Sequence, residues 1–127
     1  MSSQDDDRLE QLLEALLQGD SQGSRRAMED LHAAGGGIDP TVLEKAISTS
    51  ALLLAVGQPD QACAMLEALA RRAPDQPALL NNLAYAHLVG GRLAAALALW
   101  ERAAVLAPND GLIRANLVHA RQRRSSN

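Results

Sequence analysis

Apolar residues recur at intervals of three and four along the chain, and glycine and proline divide this pattern into segments of helical length. The first segment shows the pattern most plainly, as a stripe of leucines at helical spacing: Leu9, Leu12, Leu13, Leu16 and Leu17. No segment alternates apolar and polar residues as a half-buried strand would. The sequence therefore predicts an all-α protein of about seven short helices joined by tight turns.

The predicted helices cover residues 6–18, 24–34, 40–56, 59–73, 76–89, 92–107 and a last segment from 109 or 110 into the polar end RQRRSSN. The aspartates at 5–7 stand where they can cap the first helix, and Asp39 can cap the third. Proline is favoured at the first helical position, which fits Pro40 and Pro59. These signals place short turns between consecutive helices.

Composition narrows the fold and the class of partner. Aromatic residues make up 2% of the chain, with Trp100, Tyr85 and no phenylalanine, so leucine and alanine must fill the core. Such a core favours closely approaching helices over a β-sandwich. The net charge of −3 gives no reason to expect a nucleic-acid partner. The richness in alanine and arginine indicates a GC-rich bacterial genome.

An internal repeat of 34 residues runs through the second half of the chain. Residues that share this interval are Gly57 and Gly91, Ala62 and Ala96, Leu66 and Trp100, Pro74 and Pro108, and Asn82 and Asn116. A helix–turn–helix unit of this length resembles the tetratricopeptide repeat. The best copy is 77–110, where the family pattern is matched by Leu80, Leu83, Ala84, His87, Ala96, Trp100, Ala103 and Pro108.

The resemblance weakens toward the N-terminus. The copy at 43–76 keeps the glycine, alanine and proline positions but has Thr49 and Ser50 where leucine and a small residue are expected. A single helix after 110 is expected to cap the array. The predicted organisation is therefore a helical hairpin at 1–40 with uncertain register, repeats and cap at 41–124, and a polar tail at 125–127.

The family resemblance implies a superhelix of α-hairpins, a solenoid whose first helices line a concave groove for a peptide or an amphipathic helix. The residues expected to face this groove are Ile47, Ser48, Ala51, Leu54, Ala55, Asn81, Asn82, Tyr85, Leu88, Val89, Ala115, Asn116 and His119. The two recurring asparagines either grip a partner's backbone or only support the helix face. One subfamily binds a C-terminal carboxylate with basic residues and asparagine, but Ile47, Ala51 and Leu112 occupy those positions here, and only Asn82 matches.

Few residues are candidates for chemistry. Cys63 lies among small and apolar residues and is interpreted as a buried structural thiol. The three histidines, His32, His87 and His119, fall on different predicted helices, and none has a carboxylate or second histidine at metal-ligand spacing. We therefore expect no catalytic site, metal or cofactor.

The expected function is that of a non-catalytic protein–protein interaction module: an adaptor, assembly factor or chaperone. By resemblance, a chaperone of a bacterial secretion system is an alternative, and a self-assembling scaffold is another. The leucine stripe could pack as core, occupy the protein's own groove, or form a homo-oligomer. No apolar run is long enough to span a membrane, and the acidic start MSSQDDDR differs from a basic secretory leader. A soluble cytoplasmic protein without a membrane partner is expected.

Overall fold

The computed structural model describes residues 3–33 and 40–126, and all the regular elements in these ranges are helices. They are α1 (Ser3–Gln18), α2 (Ser21–Ala33), α3 (Pro40–Ala55), α4 (Pro59–Arg72), α5 (Pro77–Val89), α6 (Leu93–Leu106) and α7 (Gly111–Ser126). Consecutive helices pack as hairpins, and the first helices of successive hairpins contact each other, α1 with α3 and α3 with α5. The predicted all-α array of helical hairpins is confirmed.

Three of the turns between paired helices have the same backbone geometry. Each contains a glycine with positive φ, namely Gly19 (73°), Gly57 (79°) and Gly91 (82°). In each turn the glycine amide donates to the carbonyl three residues back, and the following amide donates to the carbonyl five residues back. This pair of bonds is the Schellman motif, which satisfies the last carbonyls of a helix and favours glycine because no side chain opposes the left-handed conformation.

The shared turn gives the N-terminal hairpin a structural register that the sequence left open. In all three hairpins the second helix begins two residues after the glycine, at Ser21, Pro59 and Leu93. Gly57 and Gly91 are separated by 34 residues, whereas Gly19 and Gly57 are separated by 38. The first hairpin is therefore built on the same turn as the others, with four additional residues (38 − 34) before the next one.

Two predicted N-termini are shifted. Helix α1 begins at Ser3, so the aspartates at 5–7 lie inside its first two turns, where the helix dipole still favours negative charge, and do not cap it. Helix α2 begins at Ser21 and not at residue 24, because Asp20 supplies the cap: its Oδ1 accepts a 2.9 Å hydrogen bond from the amide of Gly23. The proposed cap at Asp39 lies outside the described residues.

The predicted polar tail at 125–127 is also corrected, since α7 continues through Ser126. The Ser126 hydroxyl donates to the carbonyl of Gln122 at 3.0 Å, which keeps its polar group inside the helical pattern. Arg123 and Arg124 lie in the last turn, where positive charge is favourable. The end of the chain is therefore polar but helical up to residue 126.

The core consists of two clusters that meet at α5. One cluster joins α1 to α5 and takes Leu79, Leu83 and Ala86 from α5, while the other joins α5, α6 and α7 and takes Leu80 and Ala84. Because α5 is buried on two sides, its sequence is apolar nearly all round instead of amphipathic. This explains why the most apolar stretch of the chain lies in the middle of the array.

Small residues set the distance between the helices of the second cluster. Ala84, Ala96 and Ala103 are fully buried around Trp100, which is 1% exposed. Alanine allows the helix backbones to approach closely, and the indole fills the space beside them. The predicted combination of alanines with a single large ring is confirmed in its packing.

Candidate functional site

An open groove lies along the first helices of the last three helical layers, α3, α5 and α7. It has a volume of about 550 Å³, and its lining consists of Ala51, Leu54, Ala55, Asn81, Asn82, Tyr85, Val89, Leu112 and Asn116. The lining is mainly apolar, with three carboxamides between the apolar side chains. The geometry thus brings residues from three separate segments of sequence to one surface.

Most of the residues predicted to face a groove lie on it. Those are Ala51, Leu54, Ala55, Asn81, Asn82, Tyr85, Val89 and Asn116. The others do not line it: Ile47 and Leu88 are partly buried against the core clusters, and Ser48, Ala115 and His119 are exposed beside the groove. Leu112, which the sequence placed only in a comparison with a carboxylate clamp, is part of the lining. That these residues bind a partner stays a prediction.

Several large apolar side chains on the groove are open to solvent. Tyr85 is 47% exposed, Val89 48% and Leu112 64%. Scattered exposed apolar residues are ordinary on protein surfaces, but these three lie together on one concave lining. They are therefore the side chains on which an apolar partner would bury area.

The carboxamide of Asn82 is engaged inside the protein. Its Nδ2 donates to the carbonyl of Ile47 at 3.2 Å and to the hydroxyl of Ser50 at 3.1 Å, both on α3. An amide nitrogen has two hydrogens, so both donors are used. Ser50 is fully buried, and its own hydroxyl donates to the carbonyl of Ile47 at 2.6 Å. This accounts for a serine where the family pattern expects a small apolar residue.

Asn81 and Asn116 form the equivalent contact one layer further on. The Nδ2 of Asn116 donates to Oδ1 of Asn81 at 2.9 Å, and the indole Nε1 of Trp100 donates to the same oxygen at 2.8 Å. Asn82 and Asn116 therefore both reach back 35 residues, to residues 47 and 81. The recurrence of asparagine at the repeat interval corresponds to a recurring hydrogen bond between first helices, which gives both residues a supporting role.

Two residues of the leucine stripe belong to the core. Leu12 is fully buried and Leu16 is 5% exposed, and both pack in the first cluster. These two side chains are covered by the chain itself, which matches the interpretation of the stripe as core. The side chains of Leu9, Leu13 and Leu17 lie outside the described residues.

Away from the groove, the structure brings together three groups that sequence reasoning kept apart. Cys63 and Glu67, one turn apart on α4, meet His87 of α5: Sγ lies 3.5 Å from Nε2, and Glu67 Oε1 lies 3.4 Å from Sγ and 3.2 Å from Nε2. The expectation that no histidine has a carboxylate beside it is thus wrong for His87. The four-residue spacing of Cys63 and Glu67 was visible in the sequence, but their approach to a residue 24 positions from Cys63 was not.

The chemistry of Cys63 follows from this environment. The thiol is 7% exposed, and burial, followed by the negative charge of Glu67 and a hydrogen bond to it, raises the pKa of Cys63 to about 11. Arg92 acts in the opposite direction but does not offset the increase. A protonated thiol is a poor nucleophile, so the predicted structural character of Cys63 agrees with its surroundings.

An array of α-hairpins whose first helices line an open groove defines a class of protein, the helical-repeat proteins, which use such extended concave surfaces for binding. Residues 47–68 and 77–102 match the family model of the tetratricopeptide repeat. The chain thus carries tetratricopeptide repeats, as the 34-residue interval predicts, and this repeat is generally a protein–protein interaction fold without catalytic activity. No curated protein matches the sequence significantly. None of the described helices is long and apolar enough to cross a membrane.

Proposed function

We propose that this chain is a non-catalytic binding protein, an adaptor, assembly factor or chaperone, whose groove binds the apolar face of a partner's amphipathic helix. The observation that carries the proposal is the cluster of exposed apolar side chains Tyr85, Val89 and Leu112 on one concave surface. A groove of about 550 Å³ falls in the size range of protein binding sites. Helix-in-groove recognition uses apolar anchors spaced by three, four and seven residues.

The engagement of the asparagines favours a helix over an extended peptide. An extended peptide depends on amides that donate and accept along its backbone, whereas a helix satisfies its own backbone and presents side chains. Both donors of Asn82 already bond to α3, and Asn116 donates to Asn81. The groove therefore offers mainly apolar area, which suits a partner whose backbone needs no further hydrogen bonds.

The test is site-specific photo-crosslinking in cells of the source organism. A photoreactive phenylalanine analogue replaces Tyr85 on the groove or, as the control, Val105, which is 80% exposed on α6 and is not part of the groove lining. We expect the Tyr85 position to capture a partner segment whose sequence has an amphipathic helical pattern. Equal capture from both positions would contradict the assignment of the groove.

The captured segment is then synthesised and its affinity measured. Leu112→Glu should weaken binding at least about tenfold, since it places a charge against apolar area, and the matched Val105→Glu should leave it nearly unchanged. Both residues are exposed, so both variants should keep the far-ultraviolet circular dichroism of the wild type. Unchanged affinity in Leu112→Glu would exclude the groove, and a non-helical bound peptide would exclude the proposed occupant.

A further inference from the structure

The three groups that meet between α4 and α5 have the composition of a metal site. They offer one thiol sulfur from Cys63, one carboxylate oxygen from Glu67 and one imidazole nitrogen from His87, with all three ligand atoms within 4.8 Å of one another. Sulfur, nitrogen and oxygen donors of this kind are the usual ligands of Zn²⁺. Three protein ligands with one open position is the coordination of zinc sites that keep a water ligand.

The distances between these atoms fit a tetrahedral ion more closely than proximity alone requires. Bonds from zinc of about 2.0–2.3 Å place neighbouring ligand atoms about 3.3–3.7 Å apart in a tetrahedron. The observed separations are 3.4 Å from Sγ to Oε1, 3.5 Å from Sγ to Nε2 and 3.2 Å from Nε2 to Oε1. The three atoms already form nearly one face of such a tetrahedron.

We propose that Cys63, Glu67 and His87 bind a Zn²⁺ ion between α4 and α5, with water as the fourth ligand. The His87 side chain is 12% exposed and the Glu67 side chain 48%, so the site is closed on the thiol side and open to solvent on the carboxylate side. An ion can enter from the open side, where the water ligand remains. A thiolate, a carboxylate and a neutral imidazole together balance the charge of the ion.

Arg92 competes with the ion for His87. Its Nε donates to Nδ1 of His87 at 2.8 Å, which requires the imidazole proton to be on Nε2, next to the Glu67 carboxylate. Zinc on Nε2 requires the opposite tautomer, with the proton on Nδ1, so the Arg92 side chain must turn away when the ion binds. That side chain is 41% exposed, and its ion pair with Asp60 at 3.5 Å is also exposed, so this movement is inexpensive.

The thiol proton leaves to solvent when the ion binds, because a coordinating thiol is deprotonated. The metal-free thiol keeps its proton, since burial and Glu67 raise the pKa of Cys63 to about 11. In the absence of metal the same residues form a hydrogen-bonded link from Arg92 through His87 to Glu67. Zinc would replace this link by a tighter one between the second helix of one repeat and the first helix of the next.

The proposal is tested with the full chain and two metal probes. Zn²⁺ is titrated by calorimetry, and Co²⁺ is titrated by absorption, because a thiolate ligand gives cobalt a charge-transfer band in the near ultraviolet. We expect one equivalent of each ion per chain and a thiolate band. Cys63→Ser should abolish the band, and Glu67→Gln should weaken binding at least about tenfold. Circular dichroism checks the fold, which the half-exposed Glu67 position should not disturb.

Two controls separate this site from general attraction of cations to an acidic protein. His119→Gln removes an exposed histidine on α7, outside the cluster, and should leave zinc affinity unchanged. Arg92→Ala should raise the affinity at least about tenfold, whereas Arg102→Ala, the same charge change at an exposed ion pair with Asp75, should have little effect. Binding without a thiolate band, or affinity equal to wild type in Cys63→Ser and Glu67→Gln, would overturn the proposal.

Discussion

The indole nitrogen of Trp100 donates a 2.8 Å hydrogen bond to the carboxamide oxygen of Asn81, and this bond connects α6 to α5. The same oxygen accepts the bond from Asn116 on α7. Trp100 is 1% exposed, so its N–H would otherwise be buried without a partner. A single asparagine thus satisfies the one polar atom of the largest core side chain and joins three helices.

Substitutions of Trp100 should separate the contribution of the ring from that of its hydrogen bond. Trp100→Ala should lower the free energy of unfolding by about 3–5 kcal/mol, since it removes a fully buried ring. Trp100→Phe keeps an aromatic ring and should cost less, about 1–2 kcal/mol, for the lost bond and the smaller area. Equilibrium urea unfolding measures both.

A double-mutant cycle with Asn81→Ala identifies the bond itself. We expect a coupling energy of about 1 kcal/mol between Trp100→Phe and Asn81→Ala. Asn109→Ala, an asparagine exposed in the turn before α7, serves as the amide control and should be close to neutral. Strict additivity in the cycle would show that the indole bond contributes nothing to stability.

The two recurring asparagines should differ in their effect on stability. Asn82→Ala removes both bonds to α3, whereas Asn116→Ala removes one bond to Asn81, whose oxygen keeps the bond from Trp100. At about 1 kcal/mol for each bond, Asn82→Ala should cost about twice as much free energy of unfolding as Asn116→Ala. Thermal and urea unfolding of the two variants provide the comparison. An equal or reversed order would contradict the assignment of these bonds as supports of the first helices.

Gly91 should resist substitution because of its backbone and not because of its neighbours. Its φ is +82°, and no atom lies within 4 Å of a Cβ placed there. Gly91→Ala should therefore cost about 1–2 kcal/mol of unfolding free energy, and Gly91→Asn less, since asparagine tolerates the left-handed region. Gly111→Ala is the control, because that position also has open space but begins α7, where alanine should be neutral or stabilising. Similar losses at both glycines would argue against the turn geometry.

The raised pKa of Cys63 predicts a specific loss of stability at alkaline pH. Between the ordinary thiol pKa of 9.0 and the folded value of about 11, the unfolded chain releases the proton while the native chain keeps it. The native state therefore loses stability as the pH rises through this window, by at most about 1.4 kcal/mol per pH unit, and this group has no such effect below pH 9. Urea unfolding in the presence of a chelator should show a shallower pH dependence for Cys63→Ala. Parallel curves for the two proteins would contradict the raised pKa.

Much of the helical framework follows from local chemistry that a sequence displays. Helices α4 and α5 begin at prolines because proline lacks the amide that a first helical residue cannot use, and the helices before Gly57 and Gly91 end at residues that accept positive φ. The error at α2 has an equally local origin, because Asp20 was not considered as a cap. These signals act within a few residues, so the single chain is enough to find them.

The placement of the groove residues could be predicted only in part. The 34-residue interval indicated which face of each first helix points to the groove, and it located Tyr85, Val89 and Ala51 on the lining. It did not distinguish Leu88, which packs against the second core cluster, from its exposed neighbours. A helical turn advances by about 100° per residue, so positions three apart can lie on opposite sides of the boundary between core and groove.

Local patterns and a fixed repeat interval were sufficient for the helices, the turns and the stacking of hairpins, since each depends on residues close in sequence or on equivalent positions in neighbouring repeats. The roles of the polar side chains depended on the packing between helices. The bond from Trp100 to Asn81, and the meeting of Cys63 and Glu67 with His87, join residues 19 to 24 positions apart. A hydrogen bond or a ligand set requires atoms within a few tenths of an ångström, and only the approach of whole helices fixes positions that closely.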